Sequence, residues 1–300
     1  DSFEEMQVTT GGSDAATSTG GVGLNMVAKR GTNDFRGSSR YIFGCGTDAN
    51  GDTKGAQCFT NMQGNLNLDA GELGQAGPWN RPSGGSTAPG NPQQAFSQGN
   101  KIQSVEDYGV EFGGPIVRDR FWFWGAIAKG DIDLLTISNV RDHTILDTTN
   151  LKLNGQISQA NSITASAIQS DKVKIGRNAG PLRPQPTTWN QSKFGDDPTS
   201  WKIEDTHVFS PNFYLSGMYS VVNGGFQLIP QGGLTPTNFL DITGAQSFTT
   251  VQYQTARPQD QIKLDGSQFF STGEGNHELK FGIGHREADV ESLSVWGGAG

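Results

Sequence analysis

Long hydrophobic runs are missing from this sequence, and their absence restricts how the chain can meet a membrane. No stretch approaches the roughly 18 apolar residues of a transmembrane helix, so any membrane span would have to consist of β-strands. Hydrophobic residues make up only 33% of the chain, while glycine is abundant at 42 residues. Because the chain is poor in the Leu, Ala and Met that build helical cores, we predict an all-β protein.

A basic surface is missing as well. The formal net charge is -8, the sequence pI is about 5.0, and the Lys and Arg residues are scattered singly. We therefore expect no nucleic-acid partner, because nucleic-acid binding requires a concentrated basic patch. The start of the sequence lacks the charged and apolar regions of a signal peptide, so either a signal has been removed or the N-terminus is missing.

The sequence patterns of known catalytic sites are also absent. The chain has no Gly-x-Ser-x-Gly elbow, no His-Glu-x-x-His pair, no Walker loop and no dinucleotide-binding glycine motif. Asp142 and His143 are adjacent, but neighbours in a strand point to opposite faces, so they would form a dyad only in a loop. We predict that the protein is not an enzyme and binds no cofactor.

No metal site is predicted either. The four histidines, at 143, 207, 277 and 285, show no ligand spacing. Residues 48–52 resemble the start of a calcium loop, but Thr53 occupies its sixth position and Phe59 its twelfth, where Gly and Glu are required. A polar turn is the preferred interpretation of this segment.

Two cysteines, Cys45 and Cys58, lie in a Gly-rich polar stretch. Their spacing is compatible with a local disulfide in an oxidising compartment, and the alternative is two free thiols. A disulfide closing so short a loop would contribute roughly 3 kcal/mol in the chain-entropy model.

Alternation of apolar and polar residues predicts about nine strands and almost no helix. The predicted ranges are 35–44, 105–113, 120–130, 148–158, 161–171, 200–209, 212–222, 259–270 and 276–290. Several strands have one apolar and one charged face: Leu151, Leu153 and Ile157 alternate with polar residues. Strands of about 9 to 12 residues with this pattern are long enough to cross a bilayer.

Short and long links alternate between these strands. Tight turns are predicted at 113–119, 159–161, 210–212 and 272–276, and long polar loops near 45–104, 131–147, 172–199 and 223–258. Loops sorted in this way are typical of an outer-membrane β-barrel, with short periplasmic turns and long extracellular loops. Residues 121–124, which read Phe-Trp-Phe-Trp, follow a short turn where an aromatic girdle would lie, although packing of large rings in a sheet core is an alternative.

Two stretches carry a recognisable pattern. Residues 20–37 read Gly-Gly-Val-Gly-Leu-Asn-Met-Val-Ala-Lys-Arg-Gly-Thr-Asn-Asp-Phe-Arg-Gly. They resemble the end of the plug domain of the TonB-dependent receptors of the bacterial outer membrane, where it runs into the first barrel strand. Residues 108–124 read Tyr-Gly-Val-Glu-Phe-Gly-Gly-Pro-Ile-Val-Arg-Asp-Arg-Phe-Trp-Phe-Trp and are similar to the hairpin between barrel strands two and three in the Oar-like branch. Gly23 and Ala28 depart from the usual residues of the plug strand.

The resemblance implies a transmembrane antiparallel barrel of about 22 strands around a plug. Residues 1–33 would be the C-terminal end of the plug and residues 34–300 the N-terminal part of the barrel, so we expect the intact protein to extend in both directions. Six charged residues on polar strand faces would line the lumen, where solvated or plug-paired charge is the preferred interpretation and contact with a polar substrate the alternative: Lys152, Lys202, Glu204, Lys263, Asp265 and Lys280.

The function that the resemblance implies is import of an extracellular substrate across the outer membrane of a Gram-negative bacterium. Energy would come from the TonB complex, which would contact a plug region upstream of residue 1, and outer-membrane lipid would surround the barrel. One alternative is a non-transporting surface protein, such as an adhesin or a secretion-associated barrel. Another is a soluble secreted β-sandwich lectin. The sequence does not identify the substrate.

Overall fold

A computed structural model describes residues 3–10, 22–44, 46–47, 53–54, 101–136, 140–179, 183–195, 199–236, 242 and 251–297. In this part of the chain the architecture is all-β, as predicted, with a single short 3-10 helix at Gln185–Thr187. No helix among these residues is long and apolar enough to cross a membrane.

The strands are, in chain order, β1 (Phe3–Thr9), β2 (Gly23–Ala28), β3 (Arg36–Gly44), β4 (Gly46–Thr47), β5 (Thr53–Lys54), β6 (Lys101–Val117), β7 (Phe121–Leu135), β8 (Arg141–Ser158), β9 (Asn161–Arg177), β10 (Trp189–Ser192), β11 (Thr199–Ser210), β12 (Phe213–Val222), β13 (Gly225–Pro230), β14 (Val251–Ala256), β15 (Gln259–Thr272), β16 (Gly275–Ala288) and β17 (Glu291–Trp296).

Thirteen of these strands form one sheet in which every pairing is antiparallel. Strands β10 and β11 lie end to end, and so do β12 and β13, β14 and β15, and β16 and β17, so the sheet has nine rows. The nine predicted strands each fall in one row, and each row pairs with its neighbours in sequence. The prediction of a large antiparallel sheet is therefore confirmed.

Four of the predicted loops need correction. The loop near 131–147 is mostly strand, because β7 runs to Leu135 and β8 begins at Arg141. The loops near 172–199 and 223–258 contain β10, β13 and β14, and β6 begins inside the predicted loop 45–104. The remainder of that loop lies largely outside the described residues. The alternation of short and long links is therefore less regular than the sequence indicates.

Cross-strand ion pairs explain why the β7–β8 hairpin continues where a loop was predicted. Arg141 donates two hydrogen bonds to Asp133, from Nε to Oδ1 and from Nη2 to Oδ2, both 2.9 Å long. This bonding raises the pKa of Arg141 above its usual value. His143 Nε2 lies 2.7 Å from Asp131 Oδ1 on the same face. A polar sequence can therefore remain paired as strand when its charges match across the ladder.

The short turns lie close to their predicted positions, with one difference. Strand β6 continues through a register shift between Pro115 and Val117, so the first turn occupies 118–120 instead of 113–119. Asp119 has a φ of 63°, a left-handed conformation that Asp tolerates in tight turns. The other three turns lie at 159–160, 211–212 and 273–274.

The sheet has one apolar and one polar face and almost no buried apolar core. Among the described residues, the buried hydrophobic side chains are Trp124 and Val140, which are 5% and 7% exposed. Large apolar side chains such as Leu151, Leu153 and Ile157 are exposed instead. The predicted alternation of faces in β8 is confirmed, because Lys152 lies on the opposite face and is half-buried.

The apolar zone of the sheet ends at a belt of polar and aromatic residues far from the short turns. Register places these residues side by side across five strands: Tyr41, Tyr108, Lys129, Asp147 and Asp171. Beyond this belt the same face carries the ion pairs of the β7–β8 hairpin. The strands are thus apolar near the short turns and charged near the opposite end.

We expect Asp133→Ala to loosen the far end of the β7–β8 hairpin, because it removes the partner of Arg141. An exposed pair of this kind contributes up to about 1 kcal/mol. Hydrogen exchange should therefore become up to about fivefold faster in residues 131–135 and 141–145, with the region near Phe121 unchanged. Lys129→Ala is the control, since Lys129 Nζ lies 3.8 Å from Asp147 and makes a weaker contact. Equal effects of both substitutions would contradict this explanation.

Candidate functional site

A separate two-stranded unit lies against the polar face of the large sheet. Strands β1 and β2 pair antiparallel with each other, and β1 was not predicted from the sequence. The Lys152 ammonium, on β8, donates a hydrogen bond of 2.8 Å to the carbonyl oxygen of Ala28, at the end of β2. The segment predicted as a plug remnant is therefore in contact with the polar wall.

An ion pair fixes the chain directly after β2. Lys29 Nζ lies 2.7 Å from Glu111 Oε1 and 2.9 Å from Oε2. The Ser38 hydroxyl, on the neighbouring strand β3, donates a further hydrogen bond of 2.8 Å to Glu111. The Glu111 side chain is only 14% exposed, so this pair is better shielded from water than an ordinary surface pair.

Asn33 ties the same segment to the first short turn. Its Oδ1 accepts hydrogen bonds from the Asp119 backbone N–H at 2.9 Å and from Trp122 Nε1 at 2.7 Å. Its Nδ2 donates to Asp119 Oδ1 at 2.5 Å. The side chain of one residue thus satisfies the backbone of the left-handed Asp119 and anchors an indole ring.

Gly31 allows this segment to approach the sheet closely. A Cβ placed on Gly31 would lie 2.3 Å from the Phe123 carbonyl oxygen, a distance that no side chain tolerates. Gly31 is buried, although its neighbours in the segment are half-buried or exposed. The contact therefore depends on the absence of a side chain.

A cavity of about 540 Å³ lies between β2 and the polar face of the sheet. Met26, Val27 and Ala28 form one wall, and strands β7, β8, β9, β11 and β12 form the other. The sheet contributes mainly hydroxyl and charged side chains, among them Ser162, Thr164, Ser166, Ser200, Thr206, Ser220, Lys152, Lys202 and Glu204. Trp124 and Ile168 add apolar surface.

Three of the six predicted lumen charges meet at this cavity. Lys152, Lys202 and Glu204 line it, and Lys202 Nζ lies 3.0 Å from Glu204 Oε2. The other three lie elsewhere on the sheet, and each has a residue of opposite charge near it. Lys263 pairs with Asp265 at 2.9 Å, and Lys280 Nζ is 3.9 Å from Glu278.

The aromatic run 121–124 does not form one girdle. Alternation places Phe121 and Phe123 on the apolar face and both tryptophans on the polar face. Trp122 binds Asn33, and Trp124 lines the cavity. Only the two phenylalanines thus lie on the face where a girdle is predicted, and the girdle itself stays a prediction.

Asp142 and His143, which are adjacent in sequence, do not form a catalytic dyad. His143 contacts Asp131, while Asp142 accepts a hydrogen bond of 2.5 Å from Lys174 on the other face. Among the described residues, no group of three or more His, Cys, Asp or Glu side chains could hold a metal ion. Cys45, Cys58 and the calcium-like segment 48–52 lie outside the described residues.

Sequence reasoning did not identify Lys29, Asn33 and Glu111 as site residues. Asn33 entered the sequence analysis only as part of the stretch 20–37, since its partners lie 86 and 89 residues away in sequence. No known family model and no curated protein matches the chain. The functional interpretation therefore rests on the residues and their geometry.

Asn33→Ala is expected to release residues 29–34 from the first short turn. The Asp119 amide and the Trp122 indole would lose their acceptor, which costs about 1 kcal/mol for a solvent-accessible hydrogen bond. The Asp119 amide should exchange with solvent about fivefold faster. Asn33→Asp keeps an acceptor oxygen for both donors but places a carboxylate beside Asp119. Thr32→Ser is the neutral control, since it keeps the hydroxyl that bonds the Asp34 backbone. Unchanged exchange at Asp119 in Asn33→Ala would contradict the proposed anchor.

Proposed function

We propose that this chain is part of a TonB-dependent receptor of a Gram-negative outer membrane, which binds an extracellular substrate and imports it. The observation that carries the proposal is the distribution of polarity on the sheet. Its apolar side chains point to one side, and the β1–β2 unit sits on the other, polar side. This is the arrangement expected of a barrel wall with lipid outside and a plug inside.

Strand length and the position of the apolar zone support this proposal. Strands β7, β8 and β9 contain 15, 18 and 17 residues, whereas about 9 to 11 suffice to cross a bilayer. The extra residues form the charged strand ends, which lie beyond the belt that contains Lys129 and Asp147. In the proposed orientation these ends project from the extracellular surface.

Aromatic clusters near the short turns also support the proposal. Phe35 stacks on Phe112, and Phe112 contacts Phe123, each with ring centroids 5.7 Å apart. On the other half of the sheet Phe209 stacks on Phe213 at 5.3 Å. Aromatic side chains are enriched at both membrane interfaces of outer-membrane barrels, and these clusters would lie at the periplasmic one.

A closed barrel needs strands besides those described. Among the described residues β3 pairs only with β6, and β16 pairs only with β15. Lipid does not tolerate unpaired strand edges. The proposal therefore requires that other strands pair with these two edges, and that the TonB complex acts on a plug segment other than the one described.

Substitution on the apolar face separates a membrane barrel from a soluble lectin. We expect Leu153→Arg to reduce assembly in the outer membrane, because an arginine facing lipid costs about 2–4 kcal/mol near the midplane. Asn154→Arg is the matched control, since the next residue faces the polar side. Membrane fractionation of cells producing the full-length protein provides the measurement. The membrane assignment would be contradicted if both variants were recovered in the membrane in equal amounts. It would also be contradicted if the unchanged protein were recovered in the soluble fraction.

Dependence on TonB separates import from adhesion. Cells that produce the full-length protein should deplete at least one solute from the growth medium, and deletion of TonB should abolish this depletion without changing attachment to surfaces. Mass spectrometry of spent medium, with and without the protein, gives the measurement. Attachment that depends on the protein, with no TonB-dependent depletion of any solute, would favour the adhesin.

A further inference from the structure

We infer that the cavity beneath β2 binds an oxyanion, a carboxylate or phosphate group carried by the substrate, between Lys152 and Lys202. The inference deepens the proposed function and rests on it in one respect, namely that the cavity lies on the path of the substrate. Anion binding by the cavity depends only on the described residues and not on import.

Register places the two lysines symmetrically about a serine. Across four neighbouring strands Lys152 pairs with Ser166, Ser166 with Lys202, and Lys202 with Ser220. All four side chains share the polar face, and adjacent strands lie about 4.8 Å apart. The Cα atoms of the lysines are thus separated by about 10 Å, and both side chains are long enough to converge over Ser166.

The charge balance of the cavity favours an anion. The lining contains two lysines and one carboxylate, and that carboxylate is already engaged. Glu204 Oε2 accepts a hydrogen bond from Lys202 at 3.0 Å, and Glu204 Oε1 accepts one from the Ser216 hydroxyl at 3.3 Å. One positive charge therefore remains without a carboxylate partner in the lining.

Lys152 carries this remaining charge, and Glu4 on β1, which also attracts it, lies outside the cavity lining. Its hydrogen bond among the described residues goes to the neutral carbonyl of Ala28, although an ammonium has three donors. By contrast, Lys29 and Lys263 each have a carboxylate within 3 Å. An oxyanion would give Lys152 a charge-assisted hydrogen bond, which is roughly twice as strong as a neutral one.

The remaining lining restricts the kind of substrate. The hydroxyls of Ser162, Thr164 and Ser200 offer donors and acceptors, while Trp124 and Ile168 offer apolar contact. The volume of about 540 Å³ falls within the usual range of ligand cavities. These features fit a small organic anion that carries both hydroxyl groups and apolar carbon, since Met26, Val27 and Val222 add further apolar surface.

Anion binding would also involve β2. The Ala28 carbonyl uses one donor of the Lys152 ammonium, so an oxyanion can accept from the other donors without breaking this bond. The bound anion and the end of β2 would then share one ammonium, which links substrate binding to the unit that lies over the cavity.

The test uses the full-length protein purified in detergent and inorganic phosphate as the probe. Phosphate should show saturable broadening of its phosphorus NMR signal, and acetate should narrow the signal again if carboxylates occupy the same site. Lys152→Met and Lys202→Met should each weaken the apparent affinity about tenfold, the usual effect of one charge-assisted hydrogen bond. Lys152→Arg should retain binding, and Lys263→Met is the matched control.

Absence of saturable broadening in the folded protein would overturn the inference, and so would full affinity in Lys152→Met. If that variant fails to fold, Lys152→Gln and Ser166→Val test the same contacts, and full affinity in both would also overturn it. Phosphate binding without uptake would leave the site intact and contradict only the import function. Uptake without phosphate or acetate binding would contradict only the site.

Discussion

The two-residue period of an antiparallel strand is the constraint on which the rest of this structure depends. Successive side chains point to opposite faces, so Lys152 and its neighbour Leu153 occupy different environments. Hydrophobic burial within the described sheet is small, since Trp124 and Val140 are its buried apolar side chains. The ladder of backbone hydrogen bonds holds the rows together, and the surroundings of the apolar face must supply the remaining stabilisation.

This constraint also explains why the nine rows could be predicted from the sequence while their lengths could not. Alternation with an apolar partner, as in Leu151 and Leu153, leaves a recognisable pattern. At the far ends of β7 and β8, many residues on both faces are polar, so the sequence there looks like that of a loop. Their pairing depends on Asp133 meeting Arg141 across the ladder, and such a match becomes visible only when the register is known.

The candidate site was partly predictable for the same reason. Sequence placed Lys152, Lys202 and Glu204 on the polar face, because the face follows from the position in the strand. It did not show which charges neutralise one another, since this depends on distances between strands. The tryptophans at 122 and 124 illustrate the limit, because their proximity in sequence suggested one cluster. In the structure Trp122 binds Asn33, whereas Trp124 lines the cavity.

Attachment of the β1–β2 unit to the sheet is concentrated at one end. Three residues that hydrogen-bond to the sheet, Ala28, Lys29 and Asn33, all lie within residues 28–33. Most side chains of β1 and β2 are exposed, so the hairpin contributes little burial of its own. A displacement of β2 would therefore act on the large sheet through this short segment. Because Met26, Val27 and Ala28 form one wall of the cavity, its volume depends on where this attachment holds β2.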